Sequence, residues 1–168
     1  VPKPLRACDD HAVLGSDFYI MERADGDVLR EAEPERFATP KARNRIGTEL
    51  IDTLAAIHAV DYESVGLGEF GRPEGYTARQ VERWTAQIEW AMETTAAIRA
   101  VPELVAVGEW LAVNVPEQHA KTLVHGDFKL DNVMYGSSVP PRVVAVFDWE
   151  LSTLGDPLAD LGWLLLFW

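Results

Sequence analysis

The residues best suited to chemistry fall in two short runs, Leu123-Val124-His125-Gly126-Asp127-Phe128-Lys129-Leu130-Asp131-Asn132 and Val146-Phe147-Asp148-Trp149-Glu150. The first places one carboxylate and one amide oxygen in a single polar stretch, close enough to share a site. The second ends a continuous apolar run on Asp148, so this carboxylate is expected at the end of a buried strand. Phosphoryl transfer asks little covalent chemistry of a protein. It requires a carboxylate that orients the acceptor hydroxyl and oxygen ligands that hold Mg²⁺ on the phosphates. The spacing His-x-Asp-x-x-x-x-Asn, followed by a strand-end Asp, supplies such a set. Asp127 is the candidate base, and Asn132 and Asp148 are the candidate ligands. Mg²⁺ prefers these hard oxygens and takes water and phosphate oxygens for the rest. Lys129 stands where a lysine can face a phosphate, and a solvated loop lysine is the competing reading.

Other polar residues have quieter roles. His125 is expected to brace the loop through hydrogen bonds rather than transfer protons. His58, on the apolar stripe Leu54-Ile57-His58, reads as a hydrogen-bonded structural histidine, and His11 and His119 as surface residues. Asp156 and Asp160 suit a helix N-terminus, where Asp is favourable, or a backbone brace. Glu150 could support the metal from behind its ligands or be a surface residue.

The elements that must position these groups are legible as periodicities. Phe18-Tyr19-Ile20-Met21 is a short strand running into charged Glu22-Arg23, with Asp25-Gly26 as a turn. Thr39-Pro40 opens a helix whose apolar positions Ile46, Leu50, Ile51, Leu54 and Ile57 recur mostly at three- and four-residue steps, ending near Asp61. Gly and Pro between Glu63 and Gly75 mark a loop. Thr77-Ala78-Arg79-Gln80 matches a capping box, and Val81, Trp84, Ile88 and Met92 continue as a stripe expected to pack helix on helix. Pro102 suits the first turn of a further helix that stops before Pro116. Thr122–Val124 and Val133–Tyr135 read as strands flanking the polar loop, and Val143–Phe147 as a third. Leu161–Trp168 reads as a buried helix.

Composition narrows the class. A chain of 168 residues, nearly half of them apolar and with six Trp, supports one packed body. The formal net charge of -12 would repel nucleic acid and anionic lipid, so neither is an expected partner. The lone Cys8 allows no internal disulfide, and the default is a reducing, cytoplasmic compartment. No apolar stretch approaches the length of a membrane span.

His125-Gly126-Asp127 with Asn132, and Asp148 after the next strand, resemble the aminoglycoside phosphotransferase and choline kinase family, a small-molecule branch of the protein-kinase-like fold. The resemblance extends over almost the whole chain. Phe18-Tyr19-Ile20-Met21-Glu22-Arg23 looks like the hinge that meets the adenine, which implies a nucleotide role for Met21, Glu22 and Arg23. Gly155-Asp156-Pro157-Leu158-Ala159-Asp160-Leu161 resembles the segment that packs beneath the site. Glu69-Phe70-Gly71-Arg72-Pro73 and the run from Asp148 to Gly155 look closest to the phosphotransferase modules found beside acyl-CoA dehydrogenases. The implied fold is α+β and kinase-like. Residues 1–24 would be the end of the N-lobe and the hinge, and residues 25–168 an incomplete, mainly helical C-lobe with a catalytic β-hairpin region. The Gly-rich loop, strand Lys and helix Glu that such enzymes place before the hinge are not among the first residues, so the sequence reads as truncated at both ends.

The implied function is an ATP- and Mg²⁺-dependent kinase that phosphorylates a hydroxyl of a small molecule, with Asp127 and Lys129 at the reacting groups. Two other classes compete. A non-catalytic pseudokinase module would bind nucleotide or a partner domain, and the sequence upstream of Val1 would separate it from an enzyme. A metallohydrolase built on His125, Asp127 and Asp148 would need several more His or Asp ligands. The acceptor class and the oligomeric state are not encoded in any motif.

Overall fold

Pro40 has no N–H to leave unpaired, and its fixed φ suits a first helical turn. Thr39 precedes it with extended backbone, and its Oγ1 accepts from the Ala42 N–H at 3.2 Å. This cap starts the helix around which the rest of the chain is arranged. The computed structural model describes residues 1–94 and 101–168. In chain order its elements are β1 (Pro4–Cys8), α1 (His11–Leu14), β2 (Phe18–Met21), β3 (Asp27–Val28), α2 (Pro40–His58), α3 (Tyr76–Thr94), α4 (Pro102–Val113), β4 (Thr122–Val124), β5 (Val133–Tyr135), β6 (Val143–Val146), β7 (Thr153–Gly155) and α5 (Pro157–Leu166). Short 3₁₀ turns lie at Glu35–Phe37 and Leu130–Asn132.

The strands form three small antiparallel sheets, β1-β2, β3-β5-β6 and β4-β7. The core lies where α2 covers the last two. Ala42, Ile46, Leu50, Leu54 and Ile57 are buried on one face of α2, against Phe37, Leu123, Phe128, Val133, Tyr135, Val146 and Leu164. Tyr135 is fully buried and its hydroxyl donates to the Ile46 carbonyl at 3.1 Å, which fixes β5 to α2. Burial pushes that phenol far above its ordinary pKa. Glu49, on the same helix, accepts from the Val143 N–H at 3.1 Å and pairs with Arg45 and Arg142, which anchors β6.

Several sequence expectations are corrected. β4 and β5 do flank the polar loop, but they do not pair with each other. β4 pairs with β7 and β5 with β6 and β3, so the loop bridges two sheets. The Asp25-Gly26 turn leads into a strand, because Asp27 and Val28 find partners in Tyr135 and Met134. Ile51 is 47% exposed, since one residue beyond Leu50 rotates it about 100° off the buried face. Helix α3 begins at Tyr76, so Thr77 lies inside its first turn and the capping box is not formed. The Trp84 and Met92 stripe is largely exposed, and among the described residues α3 buries only Tyr76 and α4 none. The end of α5 is likewise not buried; Leu165, Leu166, Phe167 and Trp168 are exposed. Among the described residues, no helix is long and apolar enough to cross a membrane.

Candidate active site

The loop after β4 turns sharply at Gly126, whose φ is +85°. A Cβ there would lie 2.5 Å from the Leu151 carbonyl oxygen, so both the conformation and the close approach require glycine. Its backbone is held from α5. Asp156 caps that helix by accepting from the Leu158 N–H at 2.9 Å, with Pro157 in the first turn. One turn on, buried Asp160 accepts from the N–H groups of His125 and Gly126, both at 2.8 Å, and from His58 Nε2 at 2.9 Å. His58 thus ties α2 to α5 beneath the loop. Leaving such N–H groups buried without a partner would cost about 1–3 kcal/mol each, so the Asp160 carboxylate is a structural clamp.

His125 is fully buried against Trp149, ring centroids 4.7 Å apart, and Phe128, at 5.7 Å. Its Nδ1 accepts from the Asp127 N–H at 3.2 Å, which assigns the ring proton to Nε2, and Nε2 donates to the Phe147 carbonyl at 2.8 Å. His125 therefore couples the Asp127 loop to the residue before Asp148. Both of its nitrogens are engaged, as a brace requires.

Asp127 is held by three donors. Asn132 Nδ2 donates to its Oδ2 at 2.8 Å and to its backbone carbonyl at 2.9 Å, Lys129 Nζ lies 3.0 Å from Oδ2, and Trp163 Nε1 donates to Oδ1 at 2.6 Å. Partial burial opposes ionisation of the carboxyl. The hydrogen bonds from Lys129, Trp163 and Asn132 outweigh it and hold the group below the usual carboxylate range. Trp163 carried no signal of its own in the sequence. It lies three residues after Asp160 on α5, so both share the helix face that meets the loop.

Asn132 is buried, and both bonds from its Nδ2 point its amide so that Oδ1 accepts no hydrogen bond among the described residues. The Asn132 carbonyl accepts from the Phe147 N–H at 2.9 Å, which brings Asp148 beside it in the backbone. Asp148 is exposed, makes no ion pair among the described residues, and adopts a left-handed φ of 63°, a conformation that costs energy for a non-glycine residue. The Asn132 amide oxygen and the Asp148 carboxylate engage no partner among the described residues, and hard oxygens of this kind suit a divalent cation. Among the described residues no group of three or more His, Cys, Asp or Glu is placed to hold a metal, so such an ion would draw further ligands from water or phosphate.

The remaining site candidates are less tightly joined. Met21 ends β2, the Glu22 N–H donates to the Lys3 carbonyl at 2.9 Å, and Arg23 pairs with Asp25 at 3.4 Å. These residues are exposed on the β1-β2 sheet, and among the described residues no hydrogen bond or ion pair joins them to the Asp127 loop. Glu150 is exposed and lines a cavity of about 570 Å³ together with Gly126, Trp163 and residues of α3.

The family model described as "Phosphotransferase enzyme family" matches residues 1–168, the full chain. The chain belongs to this family. Among relatives, acyl-CoA dehydrogenase family member 11 of Rattus norvegicus is 40% identical over 169 residues, covering 100% of this chain and 21% of the relative. The Arabidopsis thaliana protein IBR3, a probable acyl-CoA dehydrogenase by name, is 35% identical over 167 residues, covering 97% of this chain and 20% of the relative. The phosphotransferase chain thus spans about a fifth of the length of these relatives. A solved Ralstonia eutropha structure, classed provisionally as an aminoglycoside phosphotransferase, superposes with a TM-score of 0.83 at 40% identity, covering 98% of this chain and 48% of that one. An aminoglycoside-3'-phosphotransferase of type VIII superposes at 0.65 with 20% identity, covering 99% of this chain and 57% of that one, and supports the kinase-like α+β fold.

Proposed function

We propose that this phosphotransferase-family chain carries the catalytic loop of an ATP- and Mg²⁺-dependent kinase acting on a hydroxyl of a small molecule. The observation that carries the reading is the arrangement at Asp127. Its carboxylate is held charged by Lys129, Trp163 and Asn132, and the Asn132 amide oxygen accepts no hydrogen bond among the described residues. Asp127 would orient the acceptor hydroxyl and take its proton, and Lys129 would shift from Asp127 toward a transferring phosphate. Asn132 Oδ1 and Asp148 would hold Mg²⁺, which when bound offsets charge on the phosphates. Met21, Glu22 and Arg23 would meet the nucleotide. A related solved structure of the APH(2'')-type holds GDP and kanamycin, which supports a purine nucleotide as donor. The acidic surface supports a partner that is neither nucleic acid nor membrane, and the free thiol of Cys8 supports a cytoplasmic setting.

The test is phosphate transfer from labelled ATP by the full-length protein, with and without Mg²⁺. Transfer that requires Mg²⁺ and is lost in Asp127→Asn supports the proposal. Tight nucleotide binding with no transfer to any hydroxyl compound would instead support a non-catalytic module.

A further inference from the structure

The cavity beside the catalytic loop has a charge that runs against the rest of the protein. The chain as a whole is formally -12, yet Arg72, Arg79 and Arg83 all line this one space. The ion pairs among the described residues engage Arg23, Arg36, Arg43, Arg45, Arg142, Lys121 and Lys129, and none of the three cavity arginines. Arg79 is bound to backbone: its guanidinium donates to the carbonyls of Glu74 and Arg72, which fixes the loop before α3. Arg83 lies over the Trp84 ring, 5.3 Å from its centroid, and Arg72 extends from that loop. Two carboxylates also line the cavity. Asp160 is already engaged by His58 and two backbone N–H groups, and only Glu150 remains to offset the arginines.

The same cavity reaches the chemistry. Trp163, whose indole N–H holds Asp127, forms part of its wall, as does Gly126, the residue before that base. Tyr76, Trp84 and Leu151 make other parts apolar. We propose that this cavity takes the hydroxyl-bearing acceptor, and that the acceptor carries an anionic group, carboxylate or phosphate, joined to its hydroxyl by an apolar portion. The anion lies against Arg72 and Arg83, the apolar portion along Trp84 and Trp163, and the hydroxyl reaches Asp127. Guanidinium forks match both oxyanions in geometry, and the cavity repels a polycationic acceptor. This inference rests on the phosphotransferase reading for its third part only.

The test compares four probes of one length in the full-length protein: ω-hydroxyhexanoate, hexanediol monophosphate, hexanediol and aminohexanol. Calorimetry reads binding, and labelled ATP reads transfer. At least one anionic probe is expected to bind on the order of tenfold tighter than the neutral diol, a typical effect of one charge-assisted contact. The better of the two identifies carboxylate or phosphate. Arg72→Gln and Arg83→Gln should remove that advantage, and Arg83→Lys should restore part of it. Both arginines are exposed, so circular dichroism should show the fold unchanged. Equal or tighter binding of aminohexanol overturns the proposal, as does anion binding indifferent to both glutamine variants. Arginine-dependent anion binding without phosphate transfer supports the anion site and overturns the phosphotransferase reading instead. Transfer to aminohexanol alone does the reverse.

Discussion

The Asp127 loop and the α3–α4 helical pair are built on opposite principles. The loop is clamped from three directions: by Asp160 and Trp163 of α5, by the Phe147 carbonyl at the end of β6, and through Asp160 by His58 of α2. His125, Phe128 and Asn132 are buried within it. The helical pair touches itself more than the body. Among its described residues only Tyr76 is buried, seated against Gly155 of β7, and Trp84, Trp90 and Trp110 are 46%, 65% and 60% exposed. The contrast separates two tasks. The phosphate chemistry proposed for the loop would need reacting groups held to fractions of an ångström, and shared buried hydrogen bonds supply such rigidity. The exposed face of the helical pair can vary, because little of the core depends on it.

The largest effect that would break this comparison is on Asp127, the proposed base. Asp127→Asn should lower kcat on the order of 10²–10⁴-fold, as expected for a positioned general base, while ATP·Mg²⁺ affinity stays near that of the parent. Asp148→Asn should weaken ATP·Mg²⁺ binding as well as slow turnover. Steady-state kinetics beside calorimetry decides it, and reversal of the two phenotypes would exchange the assigned roles.

Next is the clamp. Asp160→Ala leaves the His125 and Gly126 N–H groups without their acceptor and should destabilise the protein by about 2–5 kcal/mol, measured by denaturant unfolding. Gly126→Ala should destabilise comparably, through its left-handed φ and the clash with the Leu151 carbonyl. A protein that tolerates both would show the loop to be less constrained than its hydrogen bonds imply.

The pH dependence sharpens the same point. The hydrogen bonds to Asp127 lower its pKa, so their contribution is complete above the ordinary carboxylate range and is lost as pH falls through the depressed value. Trp163→Phe and Lys129→Ala each remove one donor, so the acid limb of kcat/KM should move to higher pH in both. An unmoved acid limb would mean that neither residue acts on Asp127.

The smallest effects are expected on the outer helices. Trp90→Ser and Trp110→Ser replace exposed side chains and should change stability by no more than about 0.5 kcal/mol and leave kcat unaltered. A large loss of stability in either would show that these helices are part of the core.

What the sequence by itself determined is local. Thr39-Pro40 capping α2, Asp156-Pro157 capping α5 and the short β-branched runs follow from backbone preferences and side-chain reach over a few residues. The spacing of His125, Asp127 and Asn132 likewise confines them to one loop. Tertiary structure decided what depends on distant parts of the chain. The pairing of β4 with β7 rather than β5, the bond from Trp163 to Asp127 across 36 residues and the meeting of three arginines beside them are not written in any local pattern. The exposure of α3, α4 and the end of α5 belongs to the same class, because an apolar stripe states that a helix can be covered, not that anything covers it. Local rules fix which groups are near in sequence; only the packing of α2 and α5 against the two sheets selects which distant groups meet, since each such contact must outweigh the entropy of closing the loop between them.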